Sequence, residues 1–178
     1  MMARGHLLIT VLFLLLSGCA SHTRHFETYA PQFAPDASSR FTVGQVIDST
    51  RPQTRGNLPS DAFNPASELK SQLEIVLAAR GLAAPANTPN VLVLIPTIAE
   101  YDSSINVPIV SPASSDTELF VKCDIVQNGT SVGMVRIRHG FAALGIISLI
   151  TIGEWKGIYR DISGDIVDAL QKKIGKSN

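Results

Sequence analysis

The side chains able to do chemistry are few and poorly grouped. Ser67 and Lys70 have the Ser-x-x-Lys spacing that sets a lysine one helical turn from a serine nucleophile. The Ser-Asp-Asn and Lys-Thr-Gly motifs that accompany such a nucleophile do not occur, and a solvent-facing lysine on an amphipathic helix accounts for Lys70. A Ser-His-Asp triad would have to use His139, beside Arg138 at a strand end, where a surface histidine is expected. His22 and His25 sit three apart with no cysteine, aspartate or third histidine nearby, which falls short of a metal ligand set. Arg136 and Arg138 share one strand face, where they can meet Glu118 across a hairpin or bind an anion. There is no Gly-x-Ser-x-Gly elbow and no Gly-rich phosphate loop. These residues define no catalytic site, no metal site and no cofactor site, and the protein is expected not to be an enzyme.

Two cysteines remain. Cys123 lies in a strand and reads as a small core residue. Cys19 is different. Arg4 supplies a positive start, residues 7–16 are apolar except for Thr10, and Ser17 and Gly18 lead directly to Cys19. The apolar run is about half the roughly 20 residues a membrane span needs, so residues 1–18 read as a signal peptide. Leu16-Ser17-Gly18-Cys19 resembles the bacterial lipobox, in which the cysteine thiol is acylated and cleavage then makes that cysteine the first residue. Ala20, where an aspartate would signal retention, implies outer-membrane sorting in lipoproteins of this kind. The expected location is the outer membrane, lipid-anchored and facing the periplasm.

Composition narrows the field further. Fifteen Lys and Arg balance fifteen Asp and Glu over 178 residues, and 45% of residues are hydrophobic against 17% charged. A highly charged disordered chain is excluded. Nucleic acid is not an expected partner, because phosphate binding needs a clustered excess of cations.

The elements that must position any site follow from periodicity. Residues 19–40 contain Pro31, Pro35 and scattered polar side chains with no sustained period, and read as the lipidated cysteine plus a flexible tether of about 25 Å reach. A single α+β domain is expected over residues 41–178. Phe41 and Val43 alternate up to Gly44, which predicts a strand bent or bulged there. Asn64-Pro65 suits an N-cap followed by proline at the first helical position, with Gly81 as the terminator. Between them Leu69, Leu73, Val76 and Leu77 make one apolar face. Residues 91–95 predict a strand covered on both faces, Pro96 a bulge or edge, and residues 102–117 a loop. Asn128-Gly129 predicts a two-residue hairpin pairing Ile125 with Val132, Cys123 with Met134, Lys122 with Val135 and Phe120 with Ile137. Ser163 reads as the N-cap of a last helix, with Ile162 stapled on Val167 and Ile166, Leu170 and Ile174 on its apolar face. The fold class expected is α+β: a small mixed sheet with a β-hairpin and two amphipathic helices packed on one face.

Residues 140–153 carry no charge. The stretch is too short to span a bilayer as a helix and is punctuated by Gly140, Gly145 and Gly153. As a buried strand and turn the stretch would complete the sheet; as an exposed patch it would mark a contact. On this second, preferred reading Phe141, Leu144, Ile147, Ile150 and, just beyond, Trp155 are the candidate interaction residues, completed by a neighbouring protein or by lipid.

The lipobox, the strand from Phe41, the helix ending in Arg80-Gly81-Leu82, the strand after residue 91 and the Asn128-Gly129 hairpin together resemble the small YajG-type outer-membrane lipoproteins and related periplasmic lipoproteins. The resemblance implies an envelope lipoprotein acting through protein contacts, with no catalytic residues to carry over. Two functions are therefore expected of the sequence. One is a non-catalytic accessory module that binds another envelope component. The other is a subunit of an oligomeric outer-membrane secretion or membrane-inserting assembly that uses residues 140–153. The partners are the membrane through the N-terminal lipid, and another envelope protein or further copies of the chain.

Overall fold

The computed structural model describes residues 19–50, 64–85, 88, 91–106, 114–144 and 152–176. The elements run β1 (Cys19–Tyr29), β2 (Phe41–Val43), β3 (Ile47–Asp48), α1 (Pro65–Ala79), β4 (Leu92–Asn106), β5 (Ser114–Gln127), β6 (Thr130–Leu144) and α2 (Ile152–Gly175). The strands make one mixed sheet in the order β1-β6-β5-β4-β2, with β3 also on β4. β2 and β3 run parallel to β4, and every other pairing is antiparallel. Leu92, Leu94, Ile98, Leu119, Val121, Cys123, Ile125, Val135 and Ile137 from one sheet face form a single buried cluster with Leu69, Leu73 and Leu77 of α1 and Ile158, Ile162, Ile166 and Leu170 of α2. Both helices thus cover the same face, as the α+β expectation required.

α1 forms where its caps and periodicity place it. Asn64 Oδ1 accepts the Ser67 backbone N–H at 3.0 Å, Pro65 opens the helix, and Gly81 takes φ +66° just past its end. The break at Gly44 also occurs, since β2 stops at Val43 and the chain rejoins β4 at Ile47. The Leu94 carbonyl accepts from Gly44 and the Ile98 carbonyl from Ser49, so the nitrogen of Pro96 faces the gap left by residues 44–46. A missing donor costs nothing there. The β4 strand is buried on one face only: Leu92, Leu94, Pro96 and Ile98 are buried while Val93, Ile95 and Thr97 are half-exposed, because no helix lies on their side.

Four expectations are corrected. First, residues 19–29 are not part of a flexible tether, because β1 pairs with β6 without a break from Cys19↔Ala143 to Tyr29↔Gly133. Its side chains show no apolar alternation because an edge strand is held by its backbone ladder, and Arg24, His25, Phe26, Glu27 and Thr28 are all exposed. Second, the ends of the expected 102–117 loop are strand, with Asp102↔Glu118 through Asn106↔Ser114 in register. Ladder bonds do not require apolar side chains, so composition hid this extension.

Third, the hairpin turn is as expected, with Asn128 at φ 50° and Gly129 at φ 79°, but the register is not. After Gln127↔Thr130 and Val126↔Ser131, Val132 is bulged out and Ile125 opposes Gly133. Cys123 therefore faces Val135, and Lys122 faces Arg136. Without the bulge Val132 would share a face with Arg136 and Arg138; with it, Val132, Val135 and Ile137 are all buried. A Cβ at Gly133 would lie 2.7 Å from Tyr29 Cδ1, so only glycine admits that ring.

Fourth, α2 begins at Ile152, and Ser163 lies within it rather than capping it. The apolar stripe starts earlier than expected, at Ile158 and Tyr159, so tertiary burial carries the helix back past the serine. The Ser163 hydroxyl is fully buried and donates to the Tyr159 carbonyl, 2.7 Å away.

Candidate functional site

The chemistry-bearing residues gather at two places, both on β1. On the helix-covered side, Thr23 Oγ1 and His139 Nδ1 share a 2.9 Å hydrogen bond, and His25 Nε2 lies 3.8 Å from Asp165 Oδ2 of α2. His139 is 6% exposed, so it is a buried partner of β1 and not the surface histidine expected from its strand-end position. Burial holds the Asp165 carboxyl above the usual range, and the fields of His25 and His139 oppose that rise. These contacts tie β1 to α2 on a polar seam. Sequence reasoning missed the seam because its members lie more than a hundred residues apart and β1 carries no apolar period. Among the described residues, no group of three or more His, Cys, Asp or Glu is placed to hold a metal ion.

The Asp165 carboxyl favours the fold in its protonated form. Its contribution is fully present below the unfolded value, about 3.9, and is lost as pH rises through the higher folded value. Asp165→Asn removes that loss. The Tm of the variant relative to the unchanged protein should therefore be higher at pH 7 than at pH 3.5, which thermal melts at the two pH values measure.

On the uncovered face, register sets Arg24 opposite Arg138, and Arg136 opposite Lys122. Arg138 meets Glu118 at 2.9 Å, the contact anticipated across the hairpin, and Lys122 meets Asp124 at 2.9 Å. Arg136 Nε lies 3.2 Å from Met134 Sδ. Phe26, 56% exposed, stands between Arg24 and Thr28 on the same face.

The remaining candidates are placed as follows. Ser67 is exposed near the start of α1, and Lys70 Nζ lies 3.9 Å from Glu74. Cys123 is fully buried, with its thiol pushed up to about 12 by burial and then by Asp124, which suits a core residue and not a nucleophile. Among the described residues, no His, Cys or Lys lines the cleft of about 480 Å³ beside Asp36 and Arg40 or the groove of about 490 Å³ between α1 and α2. Cys19, Phe141 and Leu144 lie in strands, and Trp155 lies in the first turns of α2. Ile147 and Ile150 lie outside the described residues. Among the described residues, no helix is long and apolar enough to cross a membrane.

No protein-family model matches the chain, and no curated protein matches it. Solved structures do. A PelC dodecamer from Paraburkholderia phytofirmans matches with a TM-score of 0.51 at 15% identity, covering 84% of this chain and 98% of that one. The fold resembles that of PelC. A second crystal form of the PelC dodecamer matches with a TM-score of 0.49 at 16% identity, with the same coverage. A minor lipoprotein from Acinetobacter baumannii matches with a TM-score of 0.45 at 16% identity, over 74% of this chain and 93% of that one.

Proposed function

We propose that this protein is a lipid-anchored, non-catalytic module of the bacterial envelope that works by contact at the periplasmic surface of the outer membrane and associates with copies of itself. One observation carries the reading. Cys19, the lipobox cysteine, pairs with Ala143, so it shares one end of the sheet with the strand that leads into the apolar run. α2 returns to the same end. His25 lies against Asp165, and the Lys173 ammonium sits 5.3 Å over the Tyr29 ring, so helix and strand ascend together. From these contacts Ile152 lies about 20 Å back along α2 at 1.5 Å per residue, and Cys19 about 20 Å back along β1 at 3.3 Å per residue. The acyl chains, the last residues of β6 and the first turns of α2, which carry Trp155, then converge on one membrane-facing end. With β1 ordered from its first residue, no long tether intervenes and the domain is held directly against the bilayer.

Self-association is the reading of function favoured over an accessory module for a different protein, because the PelC structure of like fold is a dodecamer. The YajG-type resemblance of the sequence agrees with the envelope location.

Ile147→Asp tests the membrane-facing end. In a chain starting at Ala20, and so without lipid, the variant should keep its Tm within a few degrees while losing residual binding to anionic vesicles in a flotation assay. Unfolding of the variant would mean that the segment is core and the reading is wrong.

A further inference from the structure

We propose that copies of this chain join edge to edge, the outer edge of β1 residues 19–24 in one copy adding antiparallel to residues 100–105 of β4 in the next. The proposal rests on the self-association part of the reading above and names the surface that performs it.

At the Cys19 end the sheet has two open edges among the described residues. β1 is one of them. On the other side β3 leaves β4 at Asp48↔Ile98, and from Glu100 to Asn106 β4 pairs with β5 alone. β1 carries no proline and no bulge over eleven residues, so its backbone ladder is unbroken along the edge. Its hydrogen-bonding phase follows from Ala30, whose N–H donates to the Val132 carbonyl at 2.9 Å. Even-numbered residues therefore bond β6, and the backbone groups of Ser21, Thr23 and His25 point away from the sheet. On β4 the Leu94 and Ile98 carbonyls face β2 and β3, and the bulge between Ile98 and Glu100 moves the phase by one. Beyond it, Tyr101, Ser103 and Ile105 point outward.

The charges agree with this join. The registers give rows across the sheet, Arg24–Arg138–Phe120–Glu100 and His22–Gly140–Glu118–Asp102. Three antiparallel steps separate β1 from β4, so the two strands run in opposite directions. Copies standing with their Cys19 ends on one side thus present β1 antiparallel to β4 of the neighbour at the same height. Arg24 then falls opposite Glu100 of the neighbouring copy, and His22 opposite Asp102 of the neighbouring copy. The outward pairs 23/101 and 21/103 close the hydrogen-bond ladder. Within its own sheet Arg24 faces Arg138, a like charge, and among the described residues it has no carboxylate partner. The contact is head-to-tail, and such contacts close into rings when the rotation permits. Every copy in the ring keeps its N-terminal cysteine toward the same membrane.

Charge exchange tests the join on the full-length protein extracted in detergent, with mass read by light scattering. Arg24→Glu should convert the oligomer to smaller species, Glu100→Arg should do the same, and the two together should restore the original mass. Arg24→Cys with Glu100→Cys should give an oxidised ladder of three or more copies, whereas each single variant stops at dimers. An oligomer unchanged by Arg24→Glu, a double reversal that fails to restore it, or a double-cysteine chain without a ladder overturns the join. A monomeric unmodified protein overturns both the join and self-association. The lipid anchor is then judged separately, by incorporation of labelled palmitate.

Discussion

Cys19→Ala should abolish incorporation of labelled palmitate and move the protein from the membrane fraction to the soluble fraction of the cell envelope. Two or three acyl chains contribute about 0.8 kcal/mol per buried methylene, whereas a single chain anchors only marginally. Loss of all of them leaves at most the reversible interfacial binding that an uncharged segment as short as residues 140–153 can give. The fold itself should survive. Cys19 is only the first residue of β1, and the ladder from Ala20↔Ala142 to Tyr29↔Gly133 is formed without its side chain. Retention of label by the variant would show that another group is acylated.

Leu73→Ala should lower the stability of the domain by about 2–5 kcal/mol, while Ile75→Ala, two residues along the same helix, should change it by less than about 0.5 kcal/mol. Leu73 is fully buried between Leu69 and Leu77 against the sheet, whereas Ile75 is 57% exposed. Removing a buried isobutyl group leaves a cavity that rigid neighbours cannot fill, but trimming Ile75 removes surface already in water. Urea unfolding monitored by circular dichroism measures both. Similar, small changes would mean that the apolar stripe of α1 does not face the sheet.

The contrast between these two positions marks how far the chain can be read without its structure. The spacing of Leu69, Leu73 and Leu77 and the caps at Asn64 and Gly81 decide α1 locally, because one turn of helix sets both the pattern and its ends. The hairpin turn is equally local, since Asn128 and Gly129 tolerate positive φ. The register beyond it is not. Val132 bulges out because the buried phase of β6 must match β5, and that match is visible only once the two strands lie together. Ser163 likewise has the chemistry of a cap, but the burial of Ile158 and Tyr159 carries α2 past it.

By itself, the sequence determined the two amphipathic helices, the turn and the α+β class, all of which rest on residues close together along the chain. Only the tertiary structure decided that residues 19–29 are a strand and that His139 is buried beside Thr23. It alone also decided that Arg24 lies in one row with Arg138 and Glu100. The physical reason is the nature of an edge strand. Its stability comes from backbone hydrogen bonds to a partner more than a hundred residues away, and those bonds leave no period in its side chains.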